Sequence, residues 1–273
     1  IHEIALVQQL LSDNSVEPKA ASPGHRQYPF MDRVVHRREN YAFAVSMYSS
    51  RIVNYELLND ENLKGWYTGS GMTYLYNADA LQYSDGFWPT VDALRLPGTT
   101  TDGRPKAVHT GWTDWVGGVS LDGMFGAVGM AFVYPDSGLV GRKAWFMFDD
   151  EIAALGTGIT GRSSERVERI VENRKIRNNG NNRLVIDGET MPAQLGWSRT
   201  FEEVRWAHLE GNVAGADIGY YFPGLPTIVA QREARTGSWY ELNRSQSQQL
   251  ITRNYVSLRF DHGREPNGAR DSY

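Results

Sequence analysis

Apolar and polar positions alternate with a period of two along most of this chain. In "YAFAVSMYSSRIVNYE", Tyr41, Phe43, Val45 and Met47 alternate with Ala42, Ala44 and Ser46, the pattern of a strand with one buried face. "RKAWFMFDDEIAALGTGI" reads as a second long strand, and "VRWAHLEG", "DIGYYFP", "TIVAQREARTGSWYEL" and "NYVSLRF" as others. Asp187-Gly188, between "RLVI" and "ETM", predicts a two-residue hairpin. Trp66, Trp145 and Trp206 are expected on strands as core residues. Helical spacing is clear only at the start, where Ile1, Ile4, Val7 and Leu11 share a face with no capping residue before them. Ser12 to Pro29 reads as a linker. "SSERVERIVENRK", with Val167, Ile170 and Val171 on one face, fits a helix or a strand. The fold class expected from these elements is mainly β, a large antiparallel sandwich.

Composition narrows the function classes. The net charge is -4 over 273 residues, which argues against wholesale binding to nucleic acid or membrane. Cysteine is absent, so disulfides and thiolate metal sites are excluded; a bacterial secreted protein and a cytosolic one both fit. No apolar run approaches the roughly 20 residues of a membrane span, and the start is not a signal peptide. At the far end, "NYVSLRFDHGREPNGARDSY" reads as a strand, a polar turn and the opening of a partner strand. A chain that opens in a helix and closes in a hairpin is expected to be part of a longer protein.

Several long motifs carry a resemblance. "SSRIVNYELLNDENLKGWYTGSGMTYLYN", "YSDGFWPTVDALRLPGTT", "GGVSLDGMFGAVGM", "KAWFMFDDEIAALGTGI", "DIGYYFP" and "DHG" follow one another in this order. Together they resemble the central β domain of the family-eight polysaccharide lyases: hyaluronate, chondroitin AC and xanthan lyases. The resemblance implies two segments: residues 1–27, the final helix of an α/α toroid domain and a linker, and residues 28–273, a central β super-sandwich cut short at its C-terminal end. It also implies β-elimination on a uronate-containing acidic polysaccharide. In that reaction the C5 proton leaves and the C4–O bond breaks, and the carboxylate must be neutralised for C5–H to be acidic. The family carries the groups that do this on the toroid, so no catalytic residue is assigned in this chain. The implied partners are the polysaccharide and the remaining α and C-terminal β domains of the same protein. A secreted bacterial monomer without an organic cofactor is expected.

Glu56 and Asn59, in "NYELLNDEN", are by resemblance the supporting cleft residues. Glu56 would steady the network around the reacting groups, and Asn59 would contact the sugar. An Asn in such a turn can equally serve the backbone amides. Trp112 and Trp115, in "HTGWTDWVGG", are candidate platforms for sugar rings, with core filling as the alternative. Arg244, in "LNRSQ", would approach an acidic substituent. Asp149, Asp150 and Glu151 place three hard oxygen donors in a row, and by resemblance to the xanthan lyases they hold Ca²⁺ with a further ligand from beyond Tyr273; a solvated strand end is the alternative. The six histidines show no metal-ligand spacing; His109 is a cleft candidate and His262 a structural one. Asp92 lies where chondroitin AC lyases contribute to a metal site, but Thr90 replaces the expected acid.

A glycoside hydrolase, a non-catalytic binding module and a mutarotase-like sandwich are the competing functions. The unsaturated product of elimination separates the first from a lyase.

Overall fold

The structure, a computed structural model, describes residues 2–15, 22–162 and 164–273. Ile1, residues 16–21 of the expected linker, and Ser163 lie outside the described residues. A helix α1 (His2–Ser12) precedes β1 (Gly24–Tyr28), β2 (Arg33–Arg37), β3 (Ala42–Ser46) and β4 (Met72–Tyr76), which form one sheet in sequence order. A single helical turn α2 (Phe87–Thr90) and a short β5 (Thr100–Thr101) follow. Next come β6 (Val116–Leu121), β7 (Phe125–Tyr134), β8 (Leu139–Met147) and β9 (Ile152–Thr160), a meander of neighbouring strands. The remainder comprises β10 (Arg166–Ile176), β11 (Leu184–Ile186), β12 (Glu189–Thr190), β13 (Trp197–Phe201), β14 (Trp206–Leu209) and β15 (Ile218–Tyr221). It ends with β16 (Ile228–Gly237), a 3₁₀ turn (Trp239–Glu241), β17 (Ile251–Arg264) and β18 (Ala269–Ser272). Among the described residues the strands make four sheets: β1-β2-β3-β4, β18-β9-β8-β7-β6, β13-β16-β17-β10-β5 and β12-β11-β14-β15. All pairings among the described strands are antiparallel. This is the mainly β architecture that the alternation predicts.

The five-stranded sheet built around β17 separates two cores. Tyr255 packs into the first, with Met47, Tyr48, Phe132 and Trp145. Val256, Leu258 and Phe260 pack into the second, with Leu184, Phe222 and Ile228. β10 is likewise split, Val167 facing one core and Val171 and Ile176 the other. A strand buried on both faces has no polar alternation, which is why "SSERVERIVENRK" was compatible with a helix; it is a strand.

Four expected strands end differently. The strand in "YAFAVSMYSSRIVNYE" stops at Ser46, and Ser49 to Tyr55 is loop, bridged at Val53 to Thr110 and bonded along residues 107–113. "RKAWFMFDDEIAALGTGI" is two strands, with Asp149–Glu151 in the turn between them. "TIVAQREARTGSWYEL" is strand only to Gly237. The final segment does not pair back on β17: β18 crosses to the edge of the other sheet and pairs with β9. The sheet also begins earlier than expected, because β1 pairs with β2 from Gly24, inside the stretch read as linker. The Asp187-Gly188 hairpin is present, with φ of 47° and 89° and Ile186 opposite Glu189. Trp145 is fully buried, but Trp206 is 39% exposed at the end of β14, and Trp66 sits in a turn against the first core.

Candidate functional site

A groove of about 1310 Å³ crosses the outer face of the β1–β4 sheet and runs up to two facing loop segments. Its floor follows from strand alternation: Phe43 and Val45 point into the core, so Ala44 and the neighbouring Val35 point into the groove. One side is aromatic. Tyr74 and Tyr76 stack with ring centroids 6.3 Å apart and 7° between planes, and Trp88 lies 6.5 Å from Tyr74. Burial raises the phenol pKa of Tyr74 to about 12, and raises those of Tyr76 and Tyr55 as well. These three phenols keep their protons near neutral pH. On the other side Arg33 spends one guanidinium nitrogen on the carbonyls of Met31, Asp32 and Met47, so it braces the wall.

The mouth is built by residues 54–64 and 239–246. Asn54 is buried, donating its amide to Ala107 O (3.0 Å) and accepting from His109 N (2.9 Å), which zips the 107–111 segment to this loop. Asn59, Asp60 and Asn62 all take left-handed backbone conformations (φ 52°, 58° and 55°), which Asn and Asp tolerate better than other side-chain-bearing residues. The Asn62 amide closes the turn by donating to Glu56 O at 2.7 Å. Two backbone bonds then tie this turn to the second segment, Leu63 N to Leu242 O (2.9 Å) and Arg244 N to Asp60 O (3.1 Å). A Lys64–Glu241 ion pair supports them.

The expected residues are brought together unevenly. Glu56 lines the groove. Asn59 and Arg244 lie on the two tied segments at its mouth without lining it. The Arg244 guanidinium stacks 4.8 Å from the Tyr240 ring and donates to Tyr240 O. Trp112 and Trp115 are 73% and 52% exposed on the segment zipped alongside Ser49–Asn54, also outside the groove lining. His109 stacks edge-on against Tyr48, bonds Thr110 O through Nδ1 and keeps Nε2 buried without a hydrogen bond. Trp239, Asn62, Asn243 and Gln246 also line the groove. The sequence reading missed Trp239 because it carried the β16 strand through "GSWYE".

The metal expectation meets a different geometry. Asp149–Glu151 form the exposed β8–β9 turn, closed by Phe148 N to Glu151 O (3.0 Å). Arg38 Nε takes the Asp149 carboxylate at 3.0 Å. Among the described residues no three His, Cys, Asp or Glu side chains are grouped to hold a metal ion; the expected site takes its remaining ligand from beyond Tyr273, so these residues alone do not complete it. Asp92 is engaged by Arg95 (3.3 Å) and Leu94 N, and Thr90 is buried against Tyr255. His262 bonds buried Asp271 (3.1 Å), a structural role. No helix among the described residues is long and apolar enough to cross a membrane.

Comparison with known proteins agrees with this architecture. The family model for the super-sandwich domain of polysaccharide lyase family 8 matches residues 23–273. The xanthan lyase of Bacillus sp. (strain GL1) is 47% identical over 99% of this chain and 30% of its own length. The hyaluronate lyase of Thermasporomyces composti is 42% identical over 99% of this chain and 35% of its own. Among solved structures, Paenibacillus xanthan lyase superposes with a TM-score of 0.95 at 45% identity, covering 99% of this chain and 26% of that one. The chondroitin AC lyase of Streptomyces coelicolor A3, in complex with chondroitin sulphate, superposes with a TM-score of 0.82 at 36% identity, covering 98% of this chain and 35% of that one. The chain thus spans about a third of the length of the relatives it matches. With nearly all of its length matched, the chain belongs to polysaccharide lyase family 8, as its super-sandwich domain.

Proposed function

We propose that this chain is the β-domain wall of a lyase cleft that binds a uronate-containing polysaccharide and serves its β-elimination. The observation that carries the reading is the mouth of the groove, where a carboxylate (Glu56), an amide (Asn62), an aromatic ring (Trp239) and a nearby guanidinium (Arg244) meet on two tied segments. Sugar hydroxyls need such mixed donors and acceptors, ring C–H faces need a flat apolar surface, and a uronate needs a cation. The names of the relatives, lyases of xanthan, hyaluronan and chondroitin, point the same way.

In the elimination a base removes the C5 proton, the released pair forms the C4=C5 double bond, and the C4–O bond breaks with protonation of the leaving oxygen. This chain's part is binding and orientation. Glu56 steadies the reacting network, Asn59 contacts the sugar, Arg244 meets an acidic substituent, and Trp112 and Trp115 extend the aromatic surface. The base belongs to another domain of the same protein. Ca²⁺ at Asp149–Glu151 has no part in this reading, since Arg38 already neutralises Asp149. A secreted location follows from a polymeric substrate that does not cross membranes.

The test is calorimetric titration of the purified chain with hyaluronan, chondroitin sulphate and xanthan fragments. Weak binding that falls with rising salt supports the reading, and absence of binding to all three overturns it. A binding module without catalysis is the alternative; it is excluded if the intact protein releases unsaturated uronyl product.

A further inference from the structure

We infer that Trp239 is a stacking platform for one sugar ring of the bound polysaccharide, an inference that rests on the reading above. Trp239 belongs to neither core cluster and is 37% exposed, yet it lines the groove beside Asn243 and Gln246. An indole in a core would be covered; an idle surface indole would not sit among amides inside a concavity. A half-open ring with amide donors and acceptors at its edge is the chemistry that recognises a pyranose, apolar on its C–H face and polar on its rim.

The turn that carries the ring is also held in place before any ligand arrives. Trp239 O accepts from both Leu242 N (3.0 Å) and Asn243 N (2.9 Å), closing the 3₁₀ turn that carries the ring. Two residues earlier, Gly237 passes so close to Pro89 O that no side chain would fit there. That close approach seats the turn against α2. The Lys64–Glu241 pair and the Leu63–Leu242 bond fix its other flank. A ring carried on a fixed turn leaves only its own side-chain rotations to be ordered on binding, so more of the stacking energy appears as affinity.

Stacking and charge attraction respond differently to salt, and this separates Trp239 from Arg244. Titration of the purified chain with hyaluronan, chondroitin sulphate and xanthan fragments, at low and at high salt, supplies the test. Trp239→Ala is expected to weaken binding about ten-fold, by a similar factor at both salt concentrations. Trp239→Phe, which keeps a flat ring, is expected to retain most of the affinity while reducing the ligand-induced change in tryptophan fluorescence, the remainder coming from Trp112 and Trp115. Circular dichroism checks that both variants keep the native fold. Wild-type affinity in Trp239→Ala, or an undiminished fluorescence change in Trp239→Phe, overturns the assignment while leaving the cleft reading intact. Failure of the unaltered chain to bind any of the three polymers overturns both.

Discussion

The Lys106 ammonium lies 2.7 and 2.8 Å from the two carboxylate oxygens of Asp102, in a pair whose side chains are 1% and 0% exposed. The Lys106 nitrogen also sits 4.7 Å from the Tyr134 ring centroid, and the Tyr67 hydroxyl is 3.0 Å from Asp102. Burial alone would raise the Asp102 pKa; the bond and charge of Lys106 outweigh it and hold the carboxyl below its usual range. Removing one partner leaves the other charge buried. Lys106→Met or Asp102→Asn is therefore expected to cost about 3–5 kcal/mol, and the double variant less than the sum. Urea unfolding of the four proteins measures the coupling.

His25 and His36 give the fold a specific acid sensitivity. Their Nδ1 atoms are 3.4 Å apart, and His36 Nε2 is 2.6 Å from Phe148 O. Arg38 stands close by, bonded to Asp149 and Met124 O. Burial first, then the nearness of His36 and Arg38, lowers the His25 pKa to about 4; burial likewise lowers that of His36. Groups with depressed native pKa values give stability that is complete above their unfolded value of 6.5 and is lost as pH falls below it. Stability is expected to drop between pH 7.5 and 5 by up to on the order of 3 kcal/mol. Despite burial, the carboxyls of Asp102 and Asp271 are held below their usual range by Lys106 and by Arg169 respectively, so His25→Gln should flatten the profile in this window. Equal urea midpoints at both ends for the unaltered chain would refute this.

The sequence carried the fold class further than the strand ends. Alternation at Phe43, Val45 and Met47 is local chemistry and was legible, as was the left-handed hairpin at Asp187-Gly188. The path of β18 was not, because its partner β9 is chosen by long-range packing that no local pattern encodes. At the site, Glu56 was reached only through resemblance. Trp239 was hidden by an apolar run whose Gly237-Ser238 break was read as part of a strand; its placement depends on contact with Pro89, far away in sequence.

Chelation should leave this chain's stability unchanged. A metal bound only by the native state would raise the melting temperature by linkage, but Asp149 is already paired with Arg38, and the three carboxylates are exposed around a turn. Melting curves with EDTA and with added Ca²⁺ are expected to superimpose. A rise with Ca²⁺ would mean that the turn rearranges to gather its carboxylates.

Asn59 needs a probe that spares its backbone. Its φ of 52° makes Asn59→Ala strained, so a loss of function in that variant would mix geometry with chemistry. Asn59→Gly accepts the same φ and removes only the amide. In the intact lyase, Asn59→Gly is expected to lower kcat/KM about 10- to 100-fold with an unchanged melting temperature. Wild-type turnover would return Asn59 to a turn-forming role.

Residues 1–273 alone should perform no elimination. The reaction needs a base at C5, a neutralised carboxylate and a proton donor for the leaving oxygen, held together to within about an ångström. The phenols of Tyr55, Tyr74 and Tyr76 along the groove are pushed upward by burial and hold their protons near neutral pH. His109, whose backbone is bonded to Asn54 at the mouth, has Nε2 buried without a hydrogen bond and does not line the groove. On the proposed reading the chain binds the sugar, and these phenols and His109 are not set to take the C5 proton. Incubation with hyaluronan, chondroitin sulphate or xanthan is therefore expected to leave the ultraviolet absorbance of the conjugated uronate unchanged, while the intact lyase raises it. Appearance of that absorbance with the purified chain would place the base within these residues, and Glu56 and Glu61, the carboxylates lining the groove, would be the first to replace.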